Sequence, residues 1–299
     1  MGGDSLMDKP YKWTFWNREF SSPILLASGT AGFGIELMEQ GFLSGAAAVI
    51  SKATTLKPRE GNPPPRIVET RFGLLNSIGL ANPGVDEVLK TLLPQAACLP
   101  CPLIINVAGE TVDDFPAVIE RLEESPVPFG YEVNVSCPNV AAGGIAFGAS
   151  PEIVERIASL VKRVSSRPFS VKLTPNEGSI VESAKAAEAG GADAVTICNT
   201  FLGMKMDWRT GRAPLKRNVG GYSSPALLPL TVARVFKTSE ATKIPVLASG
   251  GVNRAEDILE LLAAGAAMVQ VGTWLMRRPD AARELREGMI SLLKEPVRQ

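Results

Sequence analysis

The sequence IPVLASGG at residues 244–251 places an apolar, β-branched run directly before a pair of glycines. A helical pattern follows at 254–264, and the next apolar run is MVQVGT at 268–273. Both runs show little alternation of polar and apolar residues, which is typical of parallel strands buried on both faces. This stretch therefore predicts a strand–helix–strand unit of a parallel sheet.

The same unit recurs along the chain from residue 23 onward. The eight predicted strands are 23–29, 46–52, 102–108, 131–136, 169–174, 194–199, 244–249 and 268–273. The predicted helices include 151–164 (with Ser150 as its N-cap), 179–189, 226–237, 254–264 and 279–294. Eight strands that each precede a helix predict an α/β fold, the closed (β/α)8 or TIM barrel. An open doubly wound sheet is the competing topology, but the first strand carries no G-x-G-x-x-G motif that opens a helix.

The composition favours one globular domain over residues 1–299. Hydrophobic residues make up 45% of the chain, and Lys plus Arg equal Asp plus Glu at 31 each. The resulting zero net charge gives no indication of a nucleic-acid or membrane partner. The apolar runs are too short to span a bilayer and the first 20 residues lack the features of a secretory signal, so we expect a cytoplasmic protein.

The chain contains no histidine. A general acid or base must therefore be Cys, Asp, Glu, Lys, Tyr or water, and metal sites rich in imidazole are excluded. The four cysteines are Cys98, Cys101, Cys137 and Cys198, too few for a disulfide framework in a chain of 299 residues. Cys98 and Cys101 have C-x-x-C spacing, but no second pair accompanies them, so no metal site is predicted.

Polar residues or glycines stand at the carboxyl end of every predicted strand. In chain order they are Ser28-Gly29, Lys52, Asn106, Asn134 with Cys137, Lys172, Asn199-Thr200, Gly250-Gly251 and Gly272-Thr273. Two long connections, 53–83 and 200–224, also begin at this end. A barrel builds its active site from the loops after the strands, and long connections in a compact domain usually carry function. We therefore expect the site at this end of the barrel.

Two of these features indicate a charged ligand. SGG at 249–251 and GT at 272–273 follow the seventh and eighth strands, where barrels often bind phosphate through backbone N–H groups. The alternative is that these glycines only form tight turns. Lys52 and Lys172 stand in apolar surroundings, where an unpaired ammonium is costly, so each is expected to face a ligand or a carboxylate. The alternative is a surface lysine at the start of a loop.

Cys137 is the candidate base or nucleophile. It lies in NVSCPN at 134–139, just past the fourth strand, and a cysteine on such a loop is active if the pKa of its thiol is lowered. Taken alone, a small buried apolar cysteine is the more common interpretation. The absence of histidine and the polar neighbours Asn134, Ser136 and Asn139 favour the catalytic one.

Together these motifs resemble dihydroorotate dehydrogenases of class 1B, the FMN-containing catalytic subunits of a two-subunit enzyme of pyrimidine biosynthesis. The resemblance extends over the chain from about residue 13. The motifs that carry it are ASGTAGFG at 27–34, SKATT at 51–55, GNPPP at 61–65, LNSIGLANPG at 75–84, NVSCPNVAAGG at 134–144, VKLTPN at 171–176, NT at 199–200, and the glycines of 249–251 and 272–273.

The resemblance implies a role for each matching residue. FMN would contact Ser28, Lys52, Ala53, Asn106, Asn134, Lys172, Cys198 and Ser224, with its phosphate at Gly250-Gly251 and Gly272-Thr273. Dihydroorotate would contact Lys52, Asn76, Ser77, Ile78, Gly79, Leu80, Asn134, Asn199 and Thr200. Lys52 would meet the substrate carboxylate, and Cys137 would remove the C5 proton while a hydride leaves C6 for the flavin.

Two positions depart from the family pattern. Ser224 stands where the family usually has glycine before the proline, and Ala141 stands where a lysine or another polar residue is common. The resemblance also implies a homodimer joined to an electron-transfer subunit that carries FAD and a 2Fe–2S cluster and reduces NAD. This chain has neither a dinucleotide fingerprint nor enough cysteines to hold that cluster itself.

Three alternatives remain open. A class 1A-like enzyme would pass electrons directly to fumarate. A barrel similar to dihydropyrimidine dehydrogenase would act on a ring without the carboxylate. A barrel that only binds a phosphorylated ligand would have no activity.

Overall fold

The computed structural model describes residues 11–136 and 147–294. The strands in these ranges are β1 (Trp13–Phe15), β2 (Arg18–Phe20), β3 (Ile24–Leu26), β4 (Ala48–Ile50), β5 (Ile67–Glu69), β6 (Leu74–Asn76), β7 (Leu103–Val107), β8 (Pro128–Asn134), β9 (Phe169–Lys172), β10 (Ala194–Ile197), β11 (Phe201–Met204), β12 (Val219–Ser223), β13 (Val246–Ser249) and β14 (Ala266–Val271).

Eight of these strands form a closed parallel barrel in the order β10-β13-β14-β3-β4-β7-β8-β9, and β9 closes the ring by pairing with β10. Every residue of β7 and β10 is buried, as expected of strands covered on both faces. All eight predicted strands are present and in the barrel, so the predicted (β/α)8 fold is confirmed.

Helices follow the barrel strands. They are α1 (Ile35–Glu39), α2 (Val85–Glu87), which continues through a π-helical turn (Val88–Leu92) into α3 (Leu93–Ala96), α4 (Asp114–Leu122), α5 (Pro151–Val164), α6 (Ile180–Ala189), α7 (Leu228–Ala241), α8 (Ala255–Ala263) and α9 (Ala281–Lys294). Helix α5 has the predicted bounds because Ser150 caps it: its Oγ accepts a hydrogen bond from the Ile153 N–H at 3.4 Å, and Pro151 occupies the first turn. The predicted N-cap is confirmed.

The two long connections contribute a second sheet that the sequence analysis did not predict. Strands β5 and β6 come from the first connection, β11 and β12 from the second, and they pair antiparallel in the order β11-β12-β6-β5. The central pairing sets Gly221 opposite Asn76. Because β6 and β12 belong to different connections, this sheet joins the two segments above the carboxyl ends of the barrel strands.

The hairpin of β1 and β2 covers the opposite end. Phe15 and Phe20 are buried in one apolar cluster. The barrel residues of that cluster lie near the strand starts and include Leu25, Ala48, Ile104, Ala194, Leu247 and Met268. The hairpin therefore closes the amino end of the barrel, which leaves the carboxyl end for a site. Within the described ranges, no helix combines the length and apolar character needed to cross a membrane.

Candidate active site

A cavity of about 440 Å³ lies at the carboxyl ends of the barrel strands. Many of the predicted site residues line it: Ser28, Asn76, Lys172, Cys198, Asn199, Thr200, Ser224, Gly250, Gly251, Gly272 and Thr273. They come from segments far apart in sequence and meet because parallel strands end at the same edge of the barrel. The structure thus brings together most of the residues that the sequence analysis singled out.

The glycines after β13 and β14 form one wall of the cavity. Gly250 and Gly251 have φ angles of 123° and 92°, a region that residues with a Cβ rarely adopt. A Cβ on Gly251 would lie 2.6 Å from the Cα of Leu228, the first residue of α7. Strands β13 and β14 are paired, so Gly272 and Thr273 lie beside this turn. The exposed backbone has the shape and polarity to bind a phosphate.

Lys172, the last residue of β9, is almost completely buried and lines the floor of the cavity. Its Nζ lies 3.3 Å from Oε1 of Glu132 and donates to the Oγ of Ser28 at 3.0 Å. The prediction that this lysine faces a ligand or a carboxylate is confirmed by the ion pair with Glu132.

Three asparagines at the strand ends have defined orientations. The Oδ1 of Asn134 accepts from the Ser136 N–H at 3.2 Å and from Nδ2 of Asn199 at 3.4 Å. The Oδ1 of Asn199 in turn accepts from the Thr200 N–H at 2.8 Å, and Nδ2 of Asn76 donates to the Gly221 carbonyl at 3.2 Å. Asn134 lies outside the cavity wall but contacts Asn199, which is part of it.

Lys52 follows β4 and does not line the cavity. Burial, and secondly the nearby positive charge of Arg66, lower the pKa of its ammonium below the usual 10.5. Ala53 is buried against Ala108 and Leu80. These contacts place the start of the first long connection against the segment 76–80.

Segment 76–80 is held by one neighbouring turn. Asn62 donates through Nδ2 to the Oγ of Ser77 at 2.9 Å, and its backbone N–H bonds the Ile78 carbonyl at 3.0 Å. Gly79 has a φ of 72°, and a Cβ there would lie 2.6 Å from the Asn62 nitrogen. Neither Ser77, Ile78, Gly79 nor Leu80 lines the cavity, although Asn76 does.

The remaining cysteines differ in their surroundings. Burial raises the pKa of the Cys198 thiol to about 12 and that of Cys101 to about 11, so both are protonated near neutral pH. Cys98 is exposed. Cys137 and Ala141 lie outside the described residues.

Residues 11–293 match the family model for dihydroorotate dehydrogenase. The chain belongs to the dihydroorotate dehydrogenase family. It is 46% identical, over 91% of its length and 88% of the relative's, to a protein of Bacillus pumilus named dihydroorotate dehydrogenase B (NAD(+)), catalytic subunit. A protein of the same name from Geobacillus sp. is 46% identical over 84% of this chain and 80% of its own.

A solved dihydroorotate dehydrogenase from Eimeria tenella, in complex with ferulenol, has the same fold. Its TM-score is 0.79 at 21% identity, and the match covers 98% of this chain and 87% of the other. At this identity the similarity shows the fold alone. It agrees with the closed barrel described above.

Dihydroorotate dehydrogenases are flavin-dependent, and the residues of the cavity fit a flavin. A flavin nucleotide needs a site for its phosphate, to which the glycine wall is suited, and polar groups for its ring. The Oδ1 of Asn106 and the Oε1 of Gln270 are buried acceptors that have no hydrogen-bond partner among the described residues. Such acceptors are costly unless a donor reaches them; Gln270 lines the cavity, whereas Asn106 is fully buried and does not. A flavin ring carries an N–H donor.

Three buried polar residues at or beneath the cavity of this dihydroorotate dehydrogenase were missed from the sequence. Glu132, Thr196 and Gln270 lie within apolar strands rather than at their ends, and all three are buried. The available signal was a charged or amide side chain inside a buried run, as in YEVNVS at 131–136 and MVQVGT at 268–273. Such a residue is rarely buried without a partner.

Proposed function

We propose that this chain is the FMN-containing catalytic subunit of a dihydroorotate dehydrogenase, which oxidises dihydroorotate to orotate in pyrimidine biosynthesis. The observation that carries the proposal is one cavity at the carboxyl end of the barrel, which gathers Lys172, Asn199 and the glycines that follow β13 and β14. The 46% identity to a catalytic subunit of that name, over 91% of the chain, supports the substrate.

In this proposal FMN is held along the cavity. Gly250, Gly251, Gly272 and Thr273 bind its phosphate through backbone N–H groups. The residues that contact the ring and ribityl chain are Ser28, Lys52, Ala53, Asn106, Asn134, Lys172, Cys198 and Ser224. Lys172 would hold the ring side of the cofactor, and its positive charge would stabilise the negative charge of the reduced form. FMN, when bound, supplies the acceptor for the hydride that leaves C6 of the substrate.

The substrate is positioned by amides and one ammonium. Asn76, Asn134 and Asn199 offer donors and acceptors that match the alternating N–H and C=O groups of the pyrimidine ring. Lys52 pairs with the carboxylate. Thr200 and the backbone of 77–80 complete the contacts. Cys137 removes the C5 proton as its thiolate, the role that a chain without histidine leaves to this loop.

A partner subunit takes the electrons onward. The relatives are named catalytic subunits of NAD(+)-dependent enzymes, and that name implies a second subunit. We assign the FAD and the 2Fe–2S cluster to that partner. This chain would form a homodimer, to which the partner subunit binds. The described residues contain no group of three or more Cys, Asp and Glu side chains placed to hold a metal ion.

The choice of substrate and acceptor tests this function. We expect the FMN-loaded chain to oxidise dihydroorotate with an artificial acceptor, and to use NAD only when the partner subunit is added. Dihydrouracil, which lacks the carboxylate, should be a much poorer substrate. Equal turnover of dihydrouracil would overturn the substrate assignment, and rapid reoxidation by fumarate in the isolated chain would favour the class 1A-like alternative.

A further inference from the structure

Glu132 is a buried carboxylate at the centre of a hydrogen-bond network that spans the barrel. It lies in β8, is fully buried and faces the barrel interior rather than the cavity wall. Its four partners are Nδ2 of Asn106 at 2.8 Å, Nζ of Lys172 at 3.3 Å, Oγ1 of Thr196 at 3.0 Å and Nε2 of Gln270 at 2.6 Å. These partners come from β7, β9, β10 and β14, so five of the eight barrel strands meet at this carboxylate.

Both oxygens of the buried Glu132 carboxylate are fully hydrogen-bonded. Removing a carboxylate from water is costly unless its oxygens are hydrogen-bonded and a counter-ion is close. Here Oε1 accepts from Asn106 and Lys172, and Oε2 accepts from Thr196 and Gln270. An apolar side chain would fill this place at lower cost. The carboxylate therefore has a purpose other than packing.

Lys172 is the partner through which Glu132 reaches the cavity. An ammonium has three N–H donors. One points to Glu132 and one to the Oγ of Ser28, and Lys172 itself lines the cavity. The third donor is left for whatever occupies the cavity. Glu132 thus sets both the direction and the charge of a side chain that touches the bound molecule.

We propose that Glu132 is a positioning residue that keeps Lys172 protonated and aimed at the cofactor before the cofactor is reduced. This inference rests on the proposed binding of FMN in the cavity. Without the carboxylate, the buried ammonium has no counter-ion and is expected to lose its proton while the cofactor is oxidised and uncharged. When two electrons add negative charge to the cofactor, the lysine then takes up a proton from solvent.

The charge state of Lys172 determines how many protons the protein takes up when the cofactor is reduced. At about pH 8, where a reduced flavin is an anion that has taken up one proton, two electrons and one proton enter the native protein, because Nζ of Lys172 already carries its own proton. In Glu132→Gln, two electrons and two protons enter, the second proton going to Nζ. The other titratable group recorded beside Lys172 among the described residues is Cys198. Burial raises the pKa of its thiol to about 12, so it adds no proton at moderately alkaline pH.

The test is anaerobic reduction of FMN-loaded protein with dithionite in a weakly buffered solution, with proton uptake and the pH dependence of the midpoint potential as readouts. Glu132→Gln is expected to take up one more proton per two electrons than the native protein and to bind FMN about tenfold more weakly. Glu132→Asp, which restores the charge, should return the native count. Thr196→Val removes one donor but leaves the carboxylate, and should leave the count unchanged.

The outcomes separate this inference from the function on which it rests. A native protein that binds no FMN would refute the proposed function. Native protein and Glu132→Gln that both bind FMN and take up the same number of protons would overturn the role of Glu132 alone. If Glu132→Gln does not fold, the native protein still decides, because uptake of two protons per two electrons would show that Lys172 is not charged beforehand.

Discussion

The hydroxyl of Ser224 donates a 2.7 Å hydrogen bond to the carbonyl oxygen of Phe72. This bond joins the two long connections at the rim of the cavity. The same Oγ also accepts from the Ala226 N–H at 3.1 Å. Ser224 has a φ of −160°, an extended conformation open to any residue. The family's glycine is therefore not required at this position, and the serine adds a link between the connections.

Replacing Ser224 with alanine should loosen this rim. Both hydrogen bonds are lost, which is expected to cost about 1 kcal/mol of unfolding free energy and to weaken FMN binding several-fold. Ser165→Ala is the matched control, because Ser165 Oγ makes the same pair of bonds to Arg167, at 2.7 and 3.2 Å, ahead of β9 at the other end of the barrel. Denaturant unfolding and FMN titration measure both effects. Equal FMN affinity in the two variants would contradict the assigned role of the rim.

Gly251 should tolerate no side chain. In Gly251→Ala the Cβ would lie 2.6 Å from the backbone of Leu228, so the turn must shift away from the phosphate position. Gly41 also has a positive φ, 74°, but no atom lies within 4 Å of a Cβ built there. We expect Gly41→Ala to cost about 1 kcal/mol and to keep FMN, and Gly251→Ala to cost more and to lose FMN. FMN retained by Gly251→Ala would place the phosphate elsewhere.

Substrate binding should depend on pH through Lys52. Burial and the neighbouring Arg66 lower the pKa of this ammonium, so it loses its charge at a lower pH than an exposed lysine does. If the ammonium pairs with the carboxylate, orotate binds most tightly below that pKa and more weakly as the pH rises through it. Orotate titrations monitored by flavin absorbance, from about pH 7 to about pH 10, measure this trend. In Lys52→Met the affinity for orotate should be low and should lack this pH trend. If the trend were the same in that variant, Lys52 would not be the partner of the substrate carboxylate.

The barrel could be predicted from the sequence because its strands are buried on both faces. Runs such as PLIINVA at 102–108 are apolar throughout, and all eight were recognised. The antiparallel sheet could not be, since β5 and β6 have three residues each and contain no distinctive apolar alternation. Strand β12, which pairs with β6, lies more than 140 residues further along the chain, and such distant pairing leaves no local signal.

The strand-end residues of the site were predicted better than the polar residues inside the strands. Strand-end residues such as Lys172 and Gly250 are easy to recognise because a polar residue or a glycine follows an apolar run. The barrel geometry brings them together. Glu132 and Gln270 are interior strand positions, so only their contacts across the barrel show what they do. The contact between them joins β8 to β14, which are not neighbours in the barrel, so it crosses the barrel interior.

Cys137 remains the predicted base, although it lies outside the described residues. In Cys137→Ser, FMN and orotate should bind as in the native protein, because no binding contact is assigned to the thiol. Reduction of the flavin by dihydroorotate should slow by roughly 10²- to 10⁴-fold near neutral pH and recover in part as the pH rises, since a hydroxyl is far less acidic than a thiol. Cys98→Ser, at an exposed cysteine, is the control. Stopped-flow reduction at native rates in Cys137→Ser would assign the base elsewhere.

The most direct test of the proposed function is the visible spectrum of the purified chain, recorded without oxygen before and after dihydroorotate is added. We expect a yellow protein with the absorbance of bound FMN, and we expect dihydroorotate to bleach it while orotate appears in equal amount. A chain that binds no flavin, or whose flavin is bleached by dithionite but not by dihydroorotate, would contradict the proposal.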